Sequence, residues 1–109
     1  MNKELPALDP IIDSISLKMH QLLGDKLIQL WLFGSRARGD ARPDSDYDLL
    51  VVADGDVKTL KTLVREVEWN CMEQHYILVS CIVYTPQQWA ERQDSPLGIN
   101  ILREGKLVA

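Results

Sequence analysis

A chain of 109 residues, 46% hydrophobic and 26% charged, is long enough for one packed core and too apolar for intrinsic disorder. Its formal charge of −4 at pH 7 gives no general attraction to a nucleic-acid backbone, so polymeric DNA or RNA is not the expected ligand; phosphate chemistry must rest on a local group of arginines. No apolar run reaches the length of a membrane span, and Met1 to Pro6 lacks the basic start and apolar centre of a secretion signal, so a cytoplasmic protein is expected.

The first helix is predicted at Asp9-Pro10, an N-cap carboxylate followed by proline at the first helical position. Ile11, Ile12, Ile15, Met19, Leu22 and Leu23 continue it at helical spacing until Gly24. Lys26 to Phe33 is a short, mostly apolar run that fits a strand buried on both faces. Ser35 to Asp46 is polar, with three arginines, Gly39 and Pro43, and reads as a loop with room for one helical turn near Ser35.

Tyr47 to Ala53 is the second predicted strand, closed by the turn residues Asp54-Gly55-Asp56. A helix from about Val57 to Gln74 follows, with Leu60, Leu63, Val64, Val67 and Cys71 on its inner face. Tyr76 to Tyr84 is the third predicted strand. Thr85-Pro86 and Ser95-Pro96 each start a short helix, the second ending at Gly105 before the tail 106–109. No repeat or linker interrupts this order, so residues 1–109 are expected to form one α/β domain whose small sheet is covered by helices.

Cys71 and Cys81 match no zinc or redox spacing and are expected to be buried, reduced thiols. His20 and His75 stand apart from any ligand cluster and are expected at the surface or satisfied in the core. Trp69, Trp89, Ile99, Ile101 and Leu102 are assigned to the core in preference to a partner surface, and homo-oligomerisation is left open.

The chemistry concentrates between Phe33 and Val52. Gly34, at the exit of a strand, lets a phosphate approach the main chain with no side chain in the way. Ser35 adds a hydroxyl beside the amides that open a helical turn, a combination suited to anions. Asp46 and Asp48 are two apart at the start of a strand, so both carboxylates project from one face while Tyr47 takes the other. Such a pair of hard oxygen ligands can share magnesium with triphosphate oxygens, which suits in-line displacement at a phosphate. Arg36, Arg38 and Arg42 lie in the same loop; Arg36 is the one assigned to the nucleotide phosphates.

Gly34-Ser35, ten residues, then Asp46-Tyr47-Asp48 resembles the signature of the DNA polymerase beta-like nucleotidyltransferase superfamily, and Gly34 to Asp40 resembles its minimal members (MNT) almost word for word. The resemblance covers about Leu27 to Pro86. It implies a palm-like fold with a small mixed sheet flanked by helices. It also implies a nucleoside triphosphate, ATP or another, as substrate and Mg2+ as cofactor, both held through Gly34, Ser35, Asp46 and Asp48. Minimal members resemble the antitoxin of HEPN/MNT toxin-antitoxin pairs, which implies transfer of AMP to a hydroxyl on a HEPN-type protein partner.

One departure bears on turnover. Active relatives carry a third acid on the strand after the long helix, as general base and metal ligand; here that slot falls near Ser80, a residue unable to do that work. Asp54, Asp56 and Glu73 could replace it, but each reads first as an ordinary surface acid. The alternative is therefore a weak or inactive nucleotide-binding module that acts by binding a protein partner. An aminoglycoside acceptor is disfavoured, because larger relatives use a second domain for it.

Overall fold

The structure, a computed structural model, describes residues 9–109, so the expectation drawn from Met1 to Pro6 lies outside the described residues. Helix α1 (Pro10–Leu23) begins at the predicted cap, where the Asp9 carboxylate accepts from the amides of Ile11 at 3.0 Å and Ile12 at 3.2 Å. A 3-10 turn, Gly24–Lys26, leads into strand β1 (Leu27–Phe33). A single helical turn, α2 (Ser35–Arg38), occupies the start of the polar loop, and strand β2 (Tyr47–Ala53) follows it.

The 19-residue helix α3 (Val57–His75) is the long crossover that parallel pairing of β2 with strand β3 (Val79–Tyr84) requires. It ends where Tyr76 turns to φ 55 and its amide bonds back to Met72. That reversal uses up residues 76–78, so β3 starts at Val79 instead of the predicted Tyr76. Helices α4 (Pro86–Arg92) and α5 (Pro96–Glu104) begin at their predicted caps, Thr85 with a full capping box to Gln88 and Ser95 with a bond from Gly98.

The sheet has the order β3-β2-β1-β4, with β1 antiparallel to both β2 and β4. Strand β4 (Lys106–Leu107) places the tail in the sheet: it pairs with Leu32 and Trp31, and Leu30 bonds the backbone of Val108 and Ala109 beyond it. The result is the expected small mixed sheet flanked by helices.

Alternation along the strands divides the core into two. Leu30, Leu32, Tyr47, Leu49, Val51, Ala53, Val79 and Val83 face α1 and α3 and pack on Ile12, Ile15, Met19, Leu60, Val64 and Val67. Trp31, Leu50 and Val52 face the opposite way, toward Trp89 of α4 and Ile101 of α5. Even-numbered residues of β2 thus point to the side covered by the two short helices.

Two of the assigned core residues lie outside it. Trp69 is 66% exposed and Ile99 is 48% exposed, whereas Trp89 and Ile101 are buried and Leu102 packs against them. The inner face of α3 runs Leu60, Val64, Val67, Cys71, and a residue two on from Val67 points about 200° away. Trp69 instead lines a shallow groove with Arg65, Glu68, Met72, Leu78 and Val79. Cys71 is buried and Cys81 half-buried, and both are free thiols. His75 is neither expected histidine type, since its Nε2 is buried without a hydrogen-bond partner. No helix among the described residues is long and apolar enough to cross a membrane.

Candidate functional site

Strand pairing sets the site. Phe33, the last residue of β1, stands opposite Asp48 on β2, so the next residue, Gly34, is delivered to the Asp48 side chain. Gly34 has φ 74 and ψ −158, angles that L residues rarely adopt. A Cβ there would overlap Oδ2 of Asp48 and lie 3.3 Å from its Cγ. Glycine is required twice over, once by the backbone and once by the carboxylate against it.

Ser35 opens α2, half-buried, and the turn is tied to Gly34 by 3.1 Å bonds from the amides of Ala37 and Arg38 to its carbonyl. The loop then closes through a small turn: the Arg42 amide donates to Ser45 Oγ at 2.8 Å, and the Ser45 amide donates to the Arg42 carbonyl at 3.0 Å. It delivers Asp46 to the mouth of β2.

Asp46 is exposed, Tyr47 buried and Asp48 half-buried, the alternation expected of a strand entering the sheet. Burial raises the Asp48 carboxyl above its ordinary value, and the neighbouring Asp46 carboxylate raises it further. The two acids therefore sense one another through their charge. Tyr47 points into the α1 side, where its hydroxyl donates to Asp9 Oδ2 at 3.0 Å and Oδ1 at 3.2 Å. Burial, then the bond to Asp9, pushes its pKa up to about 12, so it stays a protonated donor.

The loop arginines go to different places. Arg36 donates from Nη2 to the carbonyls of Ser45 at 2.9 Å and Pro43 at 3.1 Å, and from Nε to Ser45 at 3.2 Å. Its guanidinium lies 4.4 Å from the centre of the Tyr47 ring. Arg38 pairs with Asp40 at 3.3 Å and with Glu104 at the end of α5 at 3.4 Å. Glu104 ends α5, which covers the sheet face toward which even-numbered residues of β2 point, so Arg38 lies on the Asp48 side.

Ser80 falls where the third acid was sought. In the parallel register of β2 and β3, Asp48 pairs with Ser80 and Leu50 with Ile82, so Ser80 shares a face with Asp48. The three candidate replacements are elsewhere. Asp54 and Asp56 lie past the far end of β2, about 20 Å from Asp48 at strand rise, and Glu73 is exposed on α3, which covers the other face. No group of three or more His, Cys, Asp or Glu suited to a metal occurs among the described residues.

Two contributors were missed by sequence reasoning. The Asp9–Tyr47 bond spans 38 residues and the Arg38–Glu104 pair spans 66, and each depends on how helices settle on the sheet. Only the Asp9 cap was locally readable.

A family profile described as a nucleotidyltransferase domain matches residues 12–106. Two proteins of Methanocaldococcus jannaschii, each named "putative protein adenylyltransferase", are similar in sequence. One is 34% identical over 104 residues, 93% of this chain and 71% of its own length. Another is 35% identical over 79 residues, 68% of this chain and 76% of its own. Among solved structures, a chain from a toxin-antitoxin complex with AMP-PNP superimposes with a TM-score of 0.66 at 17% identity, over 90% of this chain and 72% of that one. A chain from a mutant MntA-HpeT toxin-antitoxin complex gives 0.64 at 15%, over 94% and 73%. At these identities the structural likeness is one of fold.

Proposed function

Because the chain belongs to the nucleotidyltransferase domain family, we propose that it is a magnesium-dependent enzyme transferring AMP from ATP to a hydroxyl on a protein, a HEPN-type partner. The observation that carries this reading is the seating of the Asp48 carboxylate against Gly34, with Asp46 beside it. That contact joins the anion-binding bend to the acidic pair.

The donor set fits magnesium: two carboxylates two residues apart at the start of β2, Asp46 exposed and Asp48 half-buried, are hard oxygen ligands whose octahedron phosphate oxygens and water could complete. Bound there, the ion would neutralise charge on the phosphates. The chain's own groups do the rest. Gly34 makes room for the Asp48 carboxylate against the bend, and Ser35 offers its hydroxyl to the phosphates. Asp46 and Asp48 fix the direction from which a triphosphate enters, and such transfers depend mainly on positioning and charge neutralisation. The adenylyltransferase name carried by two relatives supports AMP as the transferred group. The toxin-antitoxin setting of the two structural neighbours supports a protein partner, and that with AMP-PNP supports ATP.

One specific observation favours a second reading. With Ser80 in the register position beside Asp48, no side chain there can take a proton from the acceptor near neutral pH, and a nucleotide-binding module that works by holding its partner needs none. The decisive experiment incubates the protein with Mg2+, labelled ATP and the product of the adjacent gene. Label on that product, lost in an Asp46→Ala, Asp48→Ala double variant, supports the enzyme; a tight complex without label supports the module.

A further inference from the structure

Arg36 is the loop residue that a phosphate would be expected to recruit, yet all three of its side-chain hydrogen bonds end on carbonyls of its own loop. We infer that Arg36 is a positioning residue for Asp46, gripping the chain on both sides of that carboxylate, and that it is not a phosphate ligand. The inference rests on Asp46 being a metal ligand, as proposed above.

The grip is two-sided. Before Asp46, Nε and Nη2 converge on the Ser45 carbonyl at 3.2 and 2.9 Å. After it, the Arg36 Cζ lies over the Tyr47 ring, 4.4 Å from its centre. Asp46 is thus held between two anchor points of one rigid cation. The far anchor is itself fixed, because Tyr47 is buried and its hydroxyl is bonded to Asp9, the cap of α1. The relay Asp9, Tyr47, Arg36, Ser45 ties an exposed acid to a helix of the core.

Direction supports the same conclusion. Arg36 and Arg38 are two apart on a helical turn and so point about 200° from one another. Arg38 is the one on the Asp48 side, whereas Arg36 lies over Tyr47, whose side chain leaves the strand on the opposite face. To turn Nε and Nη2 onto a phosphate, Arg36 would have to release the Ser45 carbonyl and free the segment that carries Asp46.

The test compares wild type with Arg36→Lys and Arg36→Met. Each is titrated with Mn2+ in the presence of a fluorescent ATP analogue, and with the analogue alone in EDTA. Lysine keeps the charge but cannot make the forked contact. A positioning role predicts that both variants weaken Mn2+ binding about 10-fold or more while affinity in EDTA stays at the wild-type value. Affinity in EDTA that falls in Arg36→Met and is retained in Arg36→Lys would overturn the inference and make Arg36 a phosphate ligand. Unchanged Mn2+ affinity in both variants would overturn it as well, leaving the proposed function standing. Wild type that shows no Mn2+-dependent binding of the analogue sinks the proposed function and, with it, this inference. Faster amide exchange at Tyr47 in folded Arg36→Lys is the accompanying sign of a loosened anchor; exchange at the wild-type rate counts against it.

Discussion

Ser80 and Asp48 stand side by side in the parallel register of β3 and β2, on the same face of the sheet. In the proposed enzyme, a carboxylate at position 80 would join Asp46 and Asp48 and add a base and a third hard ligand. Ser80→Asp should therefore raise metal-dependent label transfer by about 100-fold, the scale of general-base catalysis. It should also lower the melting temperature in EDTA through repulsion among three acids and recover it in Mg2+. Transfer measured with and without the substitution checks this; a rate equal to wild type would show that proton removal does not limit the reaction.

The Asp9–Tyr47 bond is expected to be worth measurable stability. Asp9→Ala removes an N-cap, about 1 kcal/mol, and leaves the buried Tyr47 hydroxyl without its partner, about another 1 kcal/mol. Tyr47→Phe removes only the bond. Urea denaturation of the two single variants and the double variant should return a coupling energy of about 1 kcal/mol; additive losses would show that the two residues do not cooperate.

Alkaline pH should weaken the fold through a half-buried thiol and a buried phenol. Burial, and then the adjacent Glu68 carboxylate, holds the Cys81 thiol well above its ordinary 9.0, and Tyr47 is raised from 10.0 to about 12. In both cases the folded state keeps a proton that the unfolded chain releases. Their contribution is fully present below the unfolded values and is lost as pH rises from 9.0 through the folded values. Melting temperature should be insensitive to these groups at pH 6 to 8.5 and fall above 9. Relative to its own value at neutral pH, Cys81→Ala should lose less; an identical alkaline decline in that variant would remove Cys81 as a cause.

The tryptophans separate what was legible in sequence from what was not. Trp89→Ala empties the small core between the sheet and helices α4 and α5 and should cost about 3–5 kcal/mol. Trp69→Ala, on an exposed face, should change stability by no more than about 0.5 kcal/mol. Chemical denaturation ranks them. The three caps at Asp9, Thr85 and Ser95 and the alternation Asp46-Tyr47-Asp48 could be read locally, since each depends on neighbours within a few residues. The exposure of Trp69 was readable from the spacing of Leu60, Val64, Val67 and Cys71, but its size argued for the core. The two residues of β4 carry no periodicity of their own and become a strand only because β1 leaves an edge beside them. The direction of Arg36 was hidden for a like reason: a loop arginine looks the same in sequence whether it meets a phosphate or the carbonyl of Ser45.

Gly34→Ala should disable the site while leaving the fold. The methyl meets two obstacles of different kind: φ 74, which costs an L residue of order 1–3 kcal/mol, and the Asp48 carboxylate, which must move aside. Only the second depends on residue 48. Nucleotide binding in the presence of Mg2+ should fall below detection, with a stability loss of a few kcal/mol that includes both terms. In an Asp48→Ala background the same substitution meets only the backbone cost, so the loss in urea denaturation should shrink measurably. An equal loss in both backgrounds would mean that Gly34 is demanded by its backbone angle alone, and its contact with Asp48 would lose its place in the proposed site.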